Sequence, residues 1–168
     1  RRLGESAYNE RCEEVAQALS ILQPVFGSDA LCELPIGLMN DALGCIEDPI
    51  LRRRVRHVVS EHDRVSQAAS RLSSGDIKGF GKLLDESHLS LQQDYEVTGH
   101  ELDTLISLAR AQPGVLGARM MGAGFGGCGL VLIQTSDIEQ FTEVVGIAYR
   151  AEIGYDAEFY PAEIGPGA

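Results

Sequence analysis

The stretch from Gly117 to Gln134 reads GARMMGAGFGGCGLVLIQ and sets a glycine-rich loop between two short apolar runs. Gly122, Gly124, Gly126 and Gly127, with Ala123 and Phe125 between them, remove the Cβ from most of a six-residue window. Such a backbone reaches positive φ and lets a ligand come close to main-chain N–H groups. Gly122, Gly124 and Gly127 satisfy G-x-G-x-x-G in form, but that fingerprint needs a helix directly after the loop. Here Gly129 to Ile133 follows, an aliphatic run that reads as a buried strand. No Gly-Lys-Ser/Thr is present, so the loop is not a Walker A loop. A second reading is a plain β-hairpin, although a hairpin turn needs only two residues.

Other groups could also do chemistry, and each has a bland reading. Cys128 follows the loop and reads as a small buried strand residue. Asp94 and Glu96 flank Tyr95 and could act as an acid–base pair, but their place at a helix junction predicts solvated helix ends. Ser87 and His88 are adjacent on a helix and so do not face each other. The run Arg52-Arg53-Arg54 with Arg56 is the one basic cluster and spreads over more than one helix face, which predicts a solvated surface. His62 falls on an apolar stripe and reads as a hydrogen-bonded core histidine.

The elements that must position these groups follow from periodicity. A first helix lies within residues 1–34, with Ser6 as a cap and Cys12, Val15, Leu19 and Leu22 on one face. Residues 35–47 read as a short helical turn and a loop. A long helix runs from Asp48 to Leu72, opened by Asp48-Pro49 and carrying the stripe Leu51, Val55, Val58, His62, Val65, Ala69, Leu72. Ser73-Ser74-Gly75 turns the chain. A helix from Asp76 to about Tyr95 follows, then one to about Ala111 with a Thr98/Glu101 capping box. After the two strands, Ser136 and Glu139 form a second capping box for a helix ending at Gly154. Tyr155 to Tyr160 alternates as a half-buried strand. Arg1-Arg2-Leu3 adds a possible edge strand. Helices followed by a small antiparallel sheet, with helices on one of its faces, give an α+β fold.

Composition bounds the rest. The 168 residues suffice for one domain with a core, and 44% hydrophobic with 23% charged residues is ordinary for a globular protein. The net charge of −11 concentrates in residues 85–168, where three arginines face thirteen acidic residues. That balance argues against a nucleic-acid partner. No apolar run has the length of a membrane span. Four cysteines without C-x-x-C spacing favour a reduced, cytoplasmic setting. Arg1 in place of an initiator Met suggests a piece of a longer protein.

The loop resembles the third, C-terminal glycine-rich motif of the GHMP small-molecule kinases, and its surroundings are most similar to the galactokinases among them. The similarity spans SAYNERCEEVAQAL (residues 6–19), LRRRVRHVVSEHDRVSQAASRLSSGD (51–76), LLDESHLSLQQDYEVTGHELDTLISLA (83–109) and the loop, in order. It implies that residues 1–168 form the C-terminal, ferredoxin-like domain of a two-domain kinase. It also implies transfer of the ATP γ-phosphoryl group to the C1 hydroxyl of galactose, assisted by Mg²⁺. Gly122, Ala123, Gly124, Phe125, Gly126 and Gly127 are then the loop on the nucleotide phosphates, and Tyr8 is the galactose contact. The catalytic residues, the serine-rich ATP loop and most Mg²⁺ contacts would belong to an N-terminal domain, so this chain alone would be inactive. Ser73-Ser74-Gly75 lacks the glycine that precedes such a serine loop. Three departures stand out: Met121 where the family has Thr, Ala123 where it has Gly, and Arg11 alone where the family has an arginine pair after Tyr8-Asn9. They leave two alternatives: a kinase for another sugar, and a regulator that binds galactose and ATP without turnover.

Overall fold

The computed structural model describes residues 2–162. Six helices carry it: α1 (Arg2–Phe26), α2 (Met39–Gly44), α3 (Pro49–Ser73), α4 (Ile77–Ser90), α5 (His100–Arg110) and α6 (Ile138–Ile153). Between α5 and α6 lies one antiparallel hairpin, β1 (Val115–Met121) and β2 (Cys128–Ile133). The α+β class is as expected. Helix α3 starts as its sequence dictates: the Asp48 carboxylate accepts the Ile50 N–H at 2.7 Å, and Pro49 occupies the first turn, where a missing N–H costs nothing.

Several local expectations fail. The helix α1 begins before Ser6, so Ser6 does not cap it, and Arg2 and Leu3 are helical rather than an edge strand. Arg1 lies outside the described residues. Neither capping box forms: α5 is preceded by Gly99 and α6 by a 3-10 turn, Thr135–Asp137, with no side-chain cap on either. Tyr155 to Tyr160 makes no ladder bonds; Phe159 instead packs edge-on to Phe141 at 6.0 Å. The last turn before Glu96 is not α-helical but a π-turn, Leu91–Tyr95.

Two hydrophobic cores form. One joins α1, α2 and the first half of α3 through Ala18, Leu22, Ile46, Leu51, Val55 and Val59. The other joins α5, α6 and one face of the hairpin through Leu102, Ile106, Ala118, Met120, Phe141 and Val145. Burying each such aliphatic side chain contributes about 1.5–3 kcal/mol before the cost of ordering it.

Helix α4 lies along the outer edge of β1 and answers its backbone donors with side chains. Asp85 accepts the Ala118 N–H at 2.9 Å, and His88 Nδ1 accepts the Met120 N–H at 3.2 Å. Arg110 of α5 donates to the Asp85 carboxylate at 2.7 Å and to the Ala118 carbonyl at 2.8 Å. The approach is close because both surfaces are bare: a Cβ on Gly81 would overlap the Leu116 carbonyl, and one on Gly117 would overlap the Gly81 carbonyl. This edge is thereby shielded from pairing with a foreign strand.

Candidate functional site

The glycine loop is the six-residue connection between the Met121 and Cys128 partners that close the hairpin. Gly122, Gly124 and Gly126 have φ of 88°, 83° and 95°, and Phe125 shares the left-handed region at 58°. Gly122, Ala123, Gly126 and Gly127 are exposed, while Gly124 and Phe125 are half-buried. A Cβ on Gly122 or Gly126 would meet nothing within 4 Å. The outer rim of the loop is therefore open to a ligand. Its inner side is seated: the Phe125 N–H donates to the Val97 carbonyl at 2.7 Å. Gly124 lies on the same carbonyl, where a Cβ would overlap the oxygen and come within 2.9 Å of the Val97 Cβ.

Val97 belongs to a turn with its own constraints. Its N–H closes the π-turn on the Leu91 carbonyl at 3.2 Å, and its side chain is 1% exposed. Glu96, just before it, is left-handed with φ 56° and ψ 47°. A non-glycine residue there costs free energy that its surroundings must supply. Arginines supply it. Arg54, 1% exposed, donates to Glu96 at 2.8 Å, to Glu14 of α1 at 2.6 Å and to the Asp94 carbonyl at 2.5 Å. Arg53 reaches Glu96 at 3.1 Å, and Arg56 reaches the Asp94 carboxylate at 2.9 Å. Arg11 of α1 lies 3.6 Å from Glu96 and donates to the Tyr95 carbonyl at 3.4 Å.

One reading from the sequence is thus corrected and one refined. The arginine run is not simply a solvated face, and Glu96, exposed at the end of the π-turn, is with Asp94 paired to arginines rather than only solvated. Leu51, Arg54, Val55, Val58 and Val59 share the buried face of α3, and Arg54 can lie there because its charge is matched three ways. The stripe leaves the core in its second half: His62, Val65, Ala69 and Leu72 are exposed. The buried histidine of α3 is His57, one turn from Arg54.

His57 stacks on Tyr95 with ring centres 4.4 Å apart, and its Nδ1 lies 3.0 Å from the Ser90 hydroxyl. Ser90 spends its proton on Asp94 at 3.2 Å, so His57 must donate through Nδ1. Burial lowers the His57 pKa to about 4, against the pull of Glu61 and with the push of Arg64. In the unfolded chain the imidazole protonates near 6.5. Between those values the unfolded state binds a proton that the folded state refuses, so acid favours unfolding. The expected outcome is full stability above pH 6.5 and a decline from there to pH 4, read as the urea midpoint. In His57→Gln that decline should be shallower; an unchanged slope would contradict the assignment.

Tyr8, the expected sugar contact, lies on α1 with 51% exposure, three residues before Arg11. Its phenol is one of the groups that raise the Tyr95 pKa, after burial and Cys12. Tyr8 shares α1 with Arg11, which donates to the Tyr95 carbonyl, and the glycine loop rests on Val97 two residues further on. Cys128 is exposed, not buried, because it begins the strand at the loop end of the hairpin, beyond the core. Ser87 and His88 are buried and diverge: Ser87 donates to Glu61 at 2.6 Å, whereas His88 serves β1. Burial pushes Glu61 up, but hydrogen bonds from Ser87 and Arg64 and the Arg119 charge outweigh it, so its carboxyl titrates below the ordinary range. This network lines a groove of about 350 Å³ that ends at Met121 and Gly122.

Among the described residues, no group of three or more His, Cys, Asp or Glu side chains could hold a metal ion. No helix among them is long and apolar enough to cross a membrane. Sequence reasoning missed His57, and it named Arg54 and Glu96 without finding that they pair. The one available signal was that Arg54 falls on the face defined by Leu51, Val55 and Val58.

The family model described as GHMP kinases C terminal matches residues 66–151. A galactokinase of Enterococcus faecalis is 49% identical over 168 residues, covering 100% of this chain and 43% of that protein. A galactokinase of Clostridium perfringens is 46% identical over 167 residues, with 99% and 43% covered. The crystal structure of Lactococcus lactis galactokinase complexed with galactose superposes with a TM-score of 0.94 at 45% identity, covering 99% of this chain and 43% of that one. The chain thus spans less than half the length of the relatives it matches.

Proposed function

The chain belongs to the GHMP kinase family, and from that premise we propose that it is the C-terminal portion of an ATP-dependent galactokinase. The observation that carries this reading is the open-rimmed, left-handed loop at residues 122–127, seated on Val97 within a chain nearly half identical to galactokinases along its whole length. Phosphoryl transfer needs little covalent help from the protein and much positioning and charge stabilisation. Backbone N–H groups of Gly122, Ala123, Gly126 and Gly127 offer donors to the anionic oxygens of ATP without side chains in the way. Tyr8 offers an exposed phenol to the sugar hydroxyls. The acceptor is the C1 hydroxyl of galactose, and the product is galactose 1-phosphate.

The groups that activate this hydroxyl belong, in this reading, to an N-terminal domain that meets the glycine loop across a cleft. Mg²⁺ would offset phosphate charge when bound. The described residues offer it no carboxylate cluster, so its ligands would be ATP oxygens and that other domain. A cytoplasmic setting goes with this reading and with the free cysteines.

The test is sugar-dependent ADP release by the full-length protein with galactose, glucose and other hexoses. Release with galactose is the expected result. Release only with another sugar would change the acceptor, and no release with any sugar would remove the enzyme reading. The chain of residues 1–168 alone should release none.

A further inference from the structure

We propose that Glu96 is a positioning residue for the glycine loop, acting through the Val97 carbonyl. The inference deepens the kinase reading and rests on it for its effect on ATP.

The loop has one backbone hydrogen bond to another segment among the described residues, from Phe125 to Val97. Val97 follows Glu96 directly, so the left-handed conformation of Glu96 sets the direction in which the chain enters Val97, and with it the placement of the carbonyl on which the loop rests. That conformation is unfavourable for glutamate in isolation. It persists because the carboxylate is held by Arg53 at 3.1 Å and by Arg54 at 2.8 Å, with Arg11 at 3.6 Å. Arg54 is in turn fixed by Glu14 and by the Asp94 carbonyl, two residues before Glu96 in the same turn. Guanidinium groups from α1 and α3 thus set a backbone angle, and that angle sets the seat of a loop that touches none of them. Phe125 at φ 58° is a second left-handed residue that the same seat holds in place.

A residue at this position could serve in either of two ways. If position 96 only needs positive φ, glycine is the better residue there, because it adopts that conformation without cost. If the carboxylate anchor is what matters, glycine is the worse residue, because the turn is freed from its arginines. Glu96→Gln keeps length and hydrogen-bonding shape but loses charge, and should fall between.

The experiment uses the full-length protein with Glu96→Gly, Glu96→Gln and, as a control for general destabilisation, Val59→Ala in the other core. Amide hydrogen exchange of the peptide covering residues 122–127 should accelerate about ten-fold in Glu96→Gly, less in Glu96→Gln, and not in Val59→Ala. The KM for ATP should rise at least about five-fold in Glu96→Gly with kcat changed less. Exchange and KM within two-fold of the parent in Glu96→Gly would overturn the proposal. If the protein phosphorylates no sugar, the kinase reading fails, and the exchange data still decide the role of Glu96.

Discussion

Replacing Arg54 with Met should destabilise the fold by about 3–5 kcal/mol, measured by urea denaturation followed by circular dichroism at 222 nm. The substitution leaves the volume of the stem nearly filled, so a cavity is a minor part of the cost. The major part is what remains behind. Glu14, with its side chain 15% exposed, loses its 2.6 Å partner, and the Asp94 carbonyl loses a donor. Glu96 is 45% exposed and recovers some solvation, which places the expected value toward the low end of the range. Arg54→Lys should recover only part of the loss, because one ammonium cannot reach three acceptors in a fork. The double variant Glu14→Gln with Arg54→Met should cost less than the sum of the singles. By contrast, Arg150→Ala removes an ion pair exposed on both sides, Arg150 with Asp156, and should change stability little. A loss below about 1 kcal/mol for Arg54→Met would mean that the buried guanidinium contributes no more than a surface pair.

The second large effect is expected at Gly124, in catalysis by the full-length protein. A displacement of about 1 Å in a catalytic loop can cost on the order of 100-fold in rate. Gly124→Val cannot keep the seat, because its Cβ would overlap the Val97 carbonyl that the loop rests on. We expect kcat/KM to fall by about 100-fold, with thermal unfolding showing the domain still folded. Gly126→Ala is the informative partner. Both positions have positive φ, so both carry the backbone strain of a Cβ, but Gly126 has nothing within 4 Å. Gly126→Ala should therefore lose far less activity than Gly124→Val. Equal losses would show that φ alone matters and that the Val97 seat does not. Gly124 is bare where the loop packs on Val97, whereas Gly122 and Gly126 have open space around them.

Most of the architecture could be read from pattern. Asp48-Pro49 marks the start of α3 because the capping physics is local. The two apolar runs beside the glycine loop pair as a hairpin because a short connection brings them together. The failures share a cause. Thr98/Glu101 and Ser136/Glu139 have capping-box spacing, yet the chain before each helix is held elsewhere, at Val97 by the loop and at Asp137 by a 3-10 turn. Tyr155 to Tyr160 alternates like a strand, but its ring at Phe159 finds Phe141 instead of a ladder. The candidate site was half legible. The loop announced itself by composition. Its support did not, because Arg54 sits in a run of like charges whose neighbours at 14, 94 and 96 are distant in sequence.

The separation of the two cores also has a thermodynamic meaning. Ile46 and Ile106 are each about 1% exposed, belong to different clusters, and share no packing neighbour within them. Trimming one methyl from each, as Ile46→Val and Ile106→Val, should cost about 1 kcal/mol apiece. The pair should cost the arithmetic total to within about 0.5 kcal/mol, read from denaturation midpoints; a clear departure would reveal communication between them. Sequence drift in the greasy half near α2 is then free to accumulate without being felt in the half that carries the glycine loop, so long as the arginine seam between them is left intact.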